Sequence, residues 1–208
     1  MTAHYLDLAV TPSVRRAQAA NGTGAVRERP APAVSDRFTA REAAFIAARD
    51  SFYLASAAET GWPYVQHRGG PQGFLRVLDE RTLGFAEFRG NRQYLSLGNV
   101  AADDRVALLL MDYPNRRRLK ILARMRALEP GEDAAMAARL AVPGYKAKIE
   151  RGFVLRLEAF DWNCPQHITP RFTGAEIAAA VAPLHERIAS LAAENAALRA
   201  RLEQGEIS

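Results

Sequence analysis

Apolar residues recur at every second position between Ser51 and about Asp161, the period of half-buried β-strands. "SFYLASAAETGWPYVQHR" reads as strand, turn at Glu59–Gly61, strand, and "GFLRVLDERTLGFAEF" repeats the hairpin with Asp79 to Arg81 at its turn. "RVALLLMDY" (105–113) is apolar on both faces, as a central strand would be. In "RRLKILARMR", Leu119, Ile121, Ala123 and Met125 fall on one face, and Arg118, Lys120, Arg124 and Arg126 on the other. "FVLRLEAFD" (153–161) closes the series, and "EDAAMAARL" before it is a short helix ended by Val142-Pro143-Gly144. About five or six antiparallel strands joined by hairpins predict a mainly β (α+β) fold, a closed or nearly closed barrel with short flanking helices.

Outside that stretch the period changes. Thr39 and Glu42 have the capping-box spacing ahead of "AAFIAARD", so a helix is expected to begin near Ala40. Residues 1 to 36, rich in Ala, Pro, Gly and Arg, read as an extended arm or loosely packed lead-in. Toward the C-terminus, Ile177, Leu184, Leu191 and Leu198 at d and Val181, Ile188, Asn195 and Leu202 at a make a heptad seam. β-branched residues at a, leucine at d and one asparagine at a form the pattern of a parallel two-stranded coil. Glu194 and Arg199 then fall at g and e, where they can pair across it. A helix packed on its own domain is the alternative, and Pro183 weighs for it by interrupting the seam. The organisation expected is an N-terminal arm (1–36), a barrel domain (37–173) and a coiled-coil-like C-terminal helix (174–208).

Composition changes this picture little. With 208 residues and 49% apolar content, the chain can bury one sizeable core. Its longest apolar runs, such as "VALLLM" (106–111), fall far short of the roughly 20 residues a spanning helix needs. The start has neither a basic region nor a sustained apolar segment, and the single cysteine forbids an internal disulfide, so a cytoplasmic protein is expected. A net charge of +5 is compatible with nucleic acid or with a small anion. Nucleic acid would want a broad basic track interleaved with aromatics, and the sequence has none, so a phosphorylated small ligand is the better expectation.

Three basic or polar clusters could hold such a ligand. In "QHRGGPQGF" (66–74), paired glycines let a backbone come close and Arg68 brings charge, although a wide turn with a solvated arginine has the same letters. In "FRGNRQYLSLGNV" (88–100), Asn91 can cap a helix starting near Arg92, with Tyr94, Leu95 and Leu97 inward and Gly98 or Asn99 ending it. Free amides there, flanked by Arg89 and Arg92, would make an anion site; an ordinary surface helix is the plainer reading. The third cluster is the cationic face of 116–126, which serves solubility, yet its like charges repel by about a few tenths of a kcal/mol per pair. A phosphate or an acidic partner would relieve them.

Together, "QHRGG", "GNRQYLSLGN" and the later "WNCPQHI" resemble the flavin-nucleotide-binding proteins related to pyridoxamine 5'-phosphate oxidase, over residues 40 to 173 or so. The likeness is nearest to a branch of predicted flavin-binding proteins and not to the biosynthetic oxidase. It implies an FMN-binding split β-barrel and a homodimer with the cofactor at the subunit interface. By that resemblance Gln66, His67, Arg68 and Gly69 would line the flavin edge and phosphate, and Asn91, Arg92 and Ser96 would grip the phosphate. Arg117, Arg118 and Lys120 would reach the ring or phosphate. Arg118 stands where the oxidase has a glutamine, and a guanidinium there would stabilise a reduced, anionic ring. Trp162 would cover the flavin or its substrate pocket, while Gln166 and His167 are the candidate catalytic groups, offering hydrogen bonds or a proton.

The departures are informative. "GNRQ" replaces the oxidase's Ser-Arg-Lys phosphate motif, and the oxidase's C-terminal Trp- and Arg-containing segment is missing, so pyridoxamine phosphate oxidation is not expected. The implied activity is an FMN-dependent oxidoreductase acting on a small organic molecule, with NADH or NADPH as a candidate donor. A non-catalytic FMN-binding or sensing module, or a split barrel holding a deazaflavin or haem, stands beside it. Cys164 and His167 supply two metal ligands where structural zinc needs four, so no metal is expected. His167 would have to activate Cys164 as a nucleophile without any identifiable third group, which leaves the thiol as a buried bystander in a turn fixed by Pro165.

Overall fold

The computed structural model describes residues 5–23, 36–162 and 165–204. Seven strands carry the fold: β1 (Ser51–Ala57), β2 (Pro63–Gly69), β3 (Arg76–Asp79), β4 (Thr82–Phe88), β5 (Arg105–Asp112), β6 (Arg117–Leu128) and β7 (Ile149–Trp162). They form one antiparallel sheet in the order β2-β1-β5-β6-β7-β4-β3. The period-2 pattern explains its curvature. Phe52 and Leu54 of β1, Leu83 and Phe85 of β4, Leu108 and Leu110 of β5, Leu119 and Ile121 of β6, and Phe153 and Leu155 of β7 belong to one buried cluster. A sheet whose strands share a single core must wrap around it.

The wrap is not completed by a backbone ladder. The inward positions of β2 are Tyr64, Gln66 and Arg68, too polar to seal against the apolar inner face of β4. The two strands are joined instead by a side-chain bond, Arg68 Nη1 donating to Glu87 Oε1 at 3.1 Å. The barrel is therefore split between β2 and β4, the fold class expected.

Helix α3 (Ala40–Ala47) begins with the anticipated capping box between Thr39 and Glu42 and buries Phe45 and Ile46 against the core. Helix α5 (Ala134–Leu140), capped by Asp133 accepting from the Met136 amide at 2.8 Å, drives Leu140 into the sheet. Space for it comes from two glycines: a Cβ on Gly84 or Gly152 would lie 2.6 or 2.8 Å from a Leu140 methyl carbon. Gly70 has a similar role, since a Cβ there would meet the Phe74 ring at 2.7 Å and the Phe88 ring at 2.9 Å. Of the adjacent glycines at the end of β2, Gly69 and Gly70, the second thus answers to aromatic packing.

Two expectations need correction. Residues 5–20 are not extended: they form α1 (Tyr5–Ala9) and α2 (Pro12–Ala20), the latter started by Thr11 as N-cap and Pro12 in its first turn. Pooling this stretch with the Gly- and Pro-rich letters after it hid that start signal. The helix expected from Arg92 to Gly98 or Asn99 is α4 (Leu95–Ala102), displaced by three residues at its start, with Ser96 and Val100 as its buried residues and Leu95 exposed. The barrel unit runs to Ile168, while residues 113–115 group with the tail from Thr169, which contains α6 (Gly174–Glu203). No helix among the described residues is long and apolar enough to cross a membrane.

Leu140→Ala is expected to destabilise the barrel by about 2–5 kcal/mol. Adding Gly84→Ala to it should cost less than Gly84→Ala alone, because the new methyl then enters vacated space. Denaturant midpoints of the two single variants and the double variant measure the coupling directly.

Candidate functional site

At the split, the side chains of β2 that cannot join the core face an open hollow of about 200 Å³. Tyr64, Gln66 and Arg68 enter it from β2, Glu87 and Phe88 from β4, Glu150 from β7, residues 90–94 from the loop before α4, and Leu95 from the start of that helix. Helix α4 is fastened beside it by Ser96 Oγ donating to Gln66 Oε1 at 3.0 Å and by Asn99 Nδ2 donating to Ser56 Oγ at 2.9 Å. Because Ser96 holds the carbonyl of Gln66, the amide nitrogen is the end left to meet other groups.

The loop is held by local chemistry. Asn91 does not cap a helix; its Oδ1 accepts from the Gln93 amide at 3.2 Å, the short-range turn that asparagine favours. Arg92 and Tyr94 both lie in the left-handed region, at φ 62° and 53°, and such a conformation costs a non-glycine residue about 1–3 kcal/mol. Hydrogen bonds hold them there. Arg89 Nε donates to Glu150 Oε1 at 2.8 Å, Tyr94 Oη donates to Glu150 Oε2 at 3.1 Å, and Arg92 Nε donates to Tyr94 Oη at 3.4 Å. The Arg89 bond holds the Glu150 carboxyl below the usual range against an opposing burial effect, with Tyr94 assisting. Its bond to Tyr94 raises the proton affinity of Arg92, a guanidinium that is charged in any case.

Beneath the loop runs a deeper chain of charges. Glu87, buried to 7% exposure, receives Arg68 on one oxygen and lies 3.0 Å from Arg151 Nε on the other; Arg151 also bonds Glu129 at 2.9 Å. Arg68 Nε is buried without a hydrogen-bond partner. Among the residues that line the hollow, the guanidinium groups of Arg68 and Arg92 are balanced by the carboxylates of Glu87 and Glu150.

Of the residues singled out in the sequence, Gln66, Arg68, Asn91 and Arg92 line this hollow, and Ser96 is bonded to one of them. His67, Gly69, Trp162, Gln166 and His167 do not line it. His67 points to the opposite face of β2 and packs edge-on against Tyr53 at 5.7 Å, and Gly69 is exposed at the strand's end. Trp162, at the end of β7, packs against α3: its Nε1 donates to Glu42 Oε1 at 2.8 Å, its ring meets Phe45 at 4.7 Å, and Arg41 and Arg117 stack on it at 4.6 and 5.0 Å. Burial alone would raise Glu42, but the bonds from Thr39 and Trp162 outweigh it and leave the carboxyl lowered. Gln166 and His167 are exposed in a turn, His167 at φ 61°. Cys164 lies outside the described residues.

The cationic face of β6 does not converge on a phosphate either. Lys120 pairs with Asp161 at 2.8 Å, Arg124 with Asp104 and Glu158 at 2.7 and 2.8 Å, and Arg126 with Glu132 at 2.7 Å. The repulsion expected along this strand is relieved by carboxylates from neighbouring segments. Arg118 differs, with a buried Nε that lacks a hydrogen-bond partner. Sequence reasoning missed Glu87, Glu150 and Arg151. A signal for the first was present: Leu83, Phe85 and Glu87 share the core-facing phase of β4, and a carboxylate in that phase needs a buried cation.

A family model described as pyridoxamine 5'-phosphate oxidase matches residues 38–162. Solved structures similar to the chain include the HupZ protein of Group A Streptococcus, at 14% identity over 65% of this chain and 99% of that one, with a TM-score of 0.46. An FMN-binding protein from Syntrophomonas wolfei is 16% identical over 58% of this chain and 81% of its own, with a TM-score of 0.43. A protein related to general stress protein 26, of the pyridoxinephosphate oxidase family, from Clostridium acetobutylicum is 13% identical over 64% and 92%, with a TM-score of 0.42. No curated protein matches the sequence.

Because Glu150 is lowered from its ordinary value of 4.5, the anchorage it gives the loop is present above that value and is lost as pH falls through the lowered one. Arg89→Ala is expected to move the Glu150 titration back upward. Carbon-detected NMR of the side-chain carboxyl reads the shift.

Proposed function

As the chain belongs to the pyridoxamine 5'-phosphate oxidase family, we propose that its hollow at the barrel split holds the phosphate end of FMN and that the protein is an FMN-dependent oxidoreductase. The observation that carries this reading is the meeting of Gln66 and Arg68 from β2 with Asn91 and Arg92 from the loop before α4, around one opening. These groups suit a phosphomonoester: guanidinium forks match its oxygens, and amide donors complete the contacts. When bound, FMN supplies the electron transfer. The chain's part is to neutralise the phosphate through Arg68 and Arg92, to orient it through Gln66 and Asn91, and to keep the loop rigid through Glu150.

The same reading includes a homodimer with the cofactor at the subunit interface. Val65 is 60% exposed and Tyr53 38% on the outer face of the sheet, beside Ala107 and Leu109, an apolar surface that a second copy would cover. The substrate is read as a small organic molecule, NADH or NADPH as the donor, and the cytoplasm as the compartment. A second reading, cofactor binding or sensing without turnover, draws on the engagement of both carboxylates of the hollow in ion pairs, which leaves neither available to move a proton.

Native purification should yield a yellow protein whose extracted chromophore has the mass of FMN. A colourless protein, or a deazaflavin or haem spectrum, would overturn the choice of cofactor. Arg92→Ala is expected to weaken FMN binding by about 10–100-fold, the effect of losing one charge-assisted hydrogen bond, as read by fluorescence titration. Steady NADH or NADPH consumption with added acceptors separates the enzyme from the sensor.

A further inference from the structure

Helix α6 buries none of its residues, yet Ile177, Leu184, Ile188, Leu191, Leu198 and Leu202 are all large, apolar and between 41% and 64% exposed. With Val181 and Asn195 they recur at alternating steps of four and three from Ile177 to Leu202. Their mean period is that of a left-handed supercoil, in which the stripe stays in contact with a partner helix of the same pitch. Pro183 sits at position c, on the outward side of that stripe, and the helix runs through it without a break.

We propose that α6 of a second copy of this chain covers this face, in a parallel, in-register, two-stranded coiled coil. Three features of the helix select that occupant. Asn195 is the one polar residue of the seam. In the in-register parallel pair its amide meets the identical amide of the other copy, each donating to the other. A heptad shift or a reversal sets it against an apolar side chain instead and leaves it buried and unpaired. Glu194 at g and Arg199 at e of the next heptad are opposite in charge and five residues apart, the spacing that joins two parallel strands, so one copy's Glu194 meets the other's Arg199 twice over by symmetry. Leucine at three successive d positions, with valine and isoleucine at the first two a positions, favours two strands over three. The seam lies outside the matched family region, residues 38–162, and does not depend on the cofactor reading.

Disulfide trapping in the full chain tests it, in a Cys164→Ser background that removes the native thiol. Leu184→Cys and Leu198→Cys, each introduced singly at d, lie about 21 Å apart along the helix axis. Both are expected to form covalent dimers on mild oxidation at least about tenfold faster than Ala193→Cys, at the outward position f. A reversed pair could bring at most one of the two d positions against itself. Cross-linking at only one d position, or at neither above the Ala193→Cys rate, would overturn the proposal. Adding Ile188→Asp should abolish both cross-links, while circular dichroism of the barrel strands confirms that the chain remains folded; persistence of the cross-links would count against the seam as the contact.

Discussion

The structure turns on a carboxylate that cannot be left alone. Glu87 occupies a core-facing position of β4, and burying it unpaired would be prohibitive. Arg68 reaches it from β2 and Arg151 from β7, so the strands on either side of the split are tied together by charge where apolar contact fails. A bond of this kind holds the edges at a fixed separation without closing the gap between them. The hollow exists because the seam is ionic.

The 89–95 loop completes that opening, and it depends on the same logic at a shallower level. Glu150 collects Arg89 and Tyr94, and Tyr94 in turn receives Arg92, so two residues with unfavourable backbone angles are kept in place by one partly exposed acid. Helix α4 begins only after this detour, and its Ser96 and Asn99 reach back to β2 and β1. Elsewhere Lys120 and Arg124 of β6 are matched by carboxylates of neighbouring segments, so the positive charge of these two is not spread as a binding surface along that strand.

Strand phase, hairpin turns and the Thr39–Glu42 cap were legible because each is a local rule, read within a few residues. Gln66, Arg68, Asn91 and Arg92 were found through the family resemblance and through their polar letters at strand and loop positions. Three things could not be read that way. The start of α4 depends on the left-handed Arg92 and Tyr94, which no helix-start rule anticipates. The roles of Trp162 and Gly70 depend on Glu42 and Phe74, partners set by tertiary packing. The pairing of β6 with Asp161 and Glu158 follows from strand register, which the letters of β6 alone do not contain.

The left-handed Arg92 has a consequence for how the protein would respond to selection for heat resistance. Glycine at that position adopts the same backbone without steric penalty, so a search for sturdier variants would be drawn to it. The guanidinium it removes is one that faces the hollow. Under the proposed function, robustness and ligand affinity are thus set in opposition at a single codon, and thermal screening alone would drift toward an emptier protein.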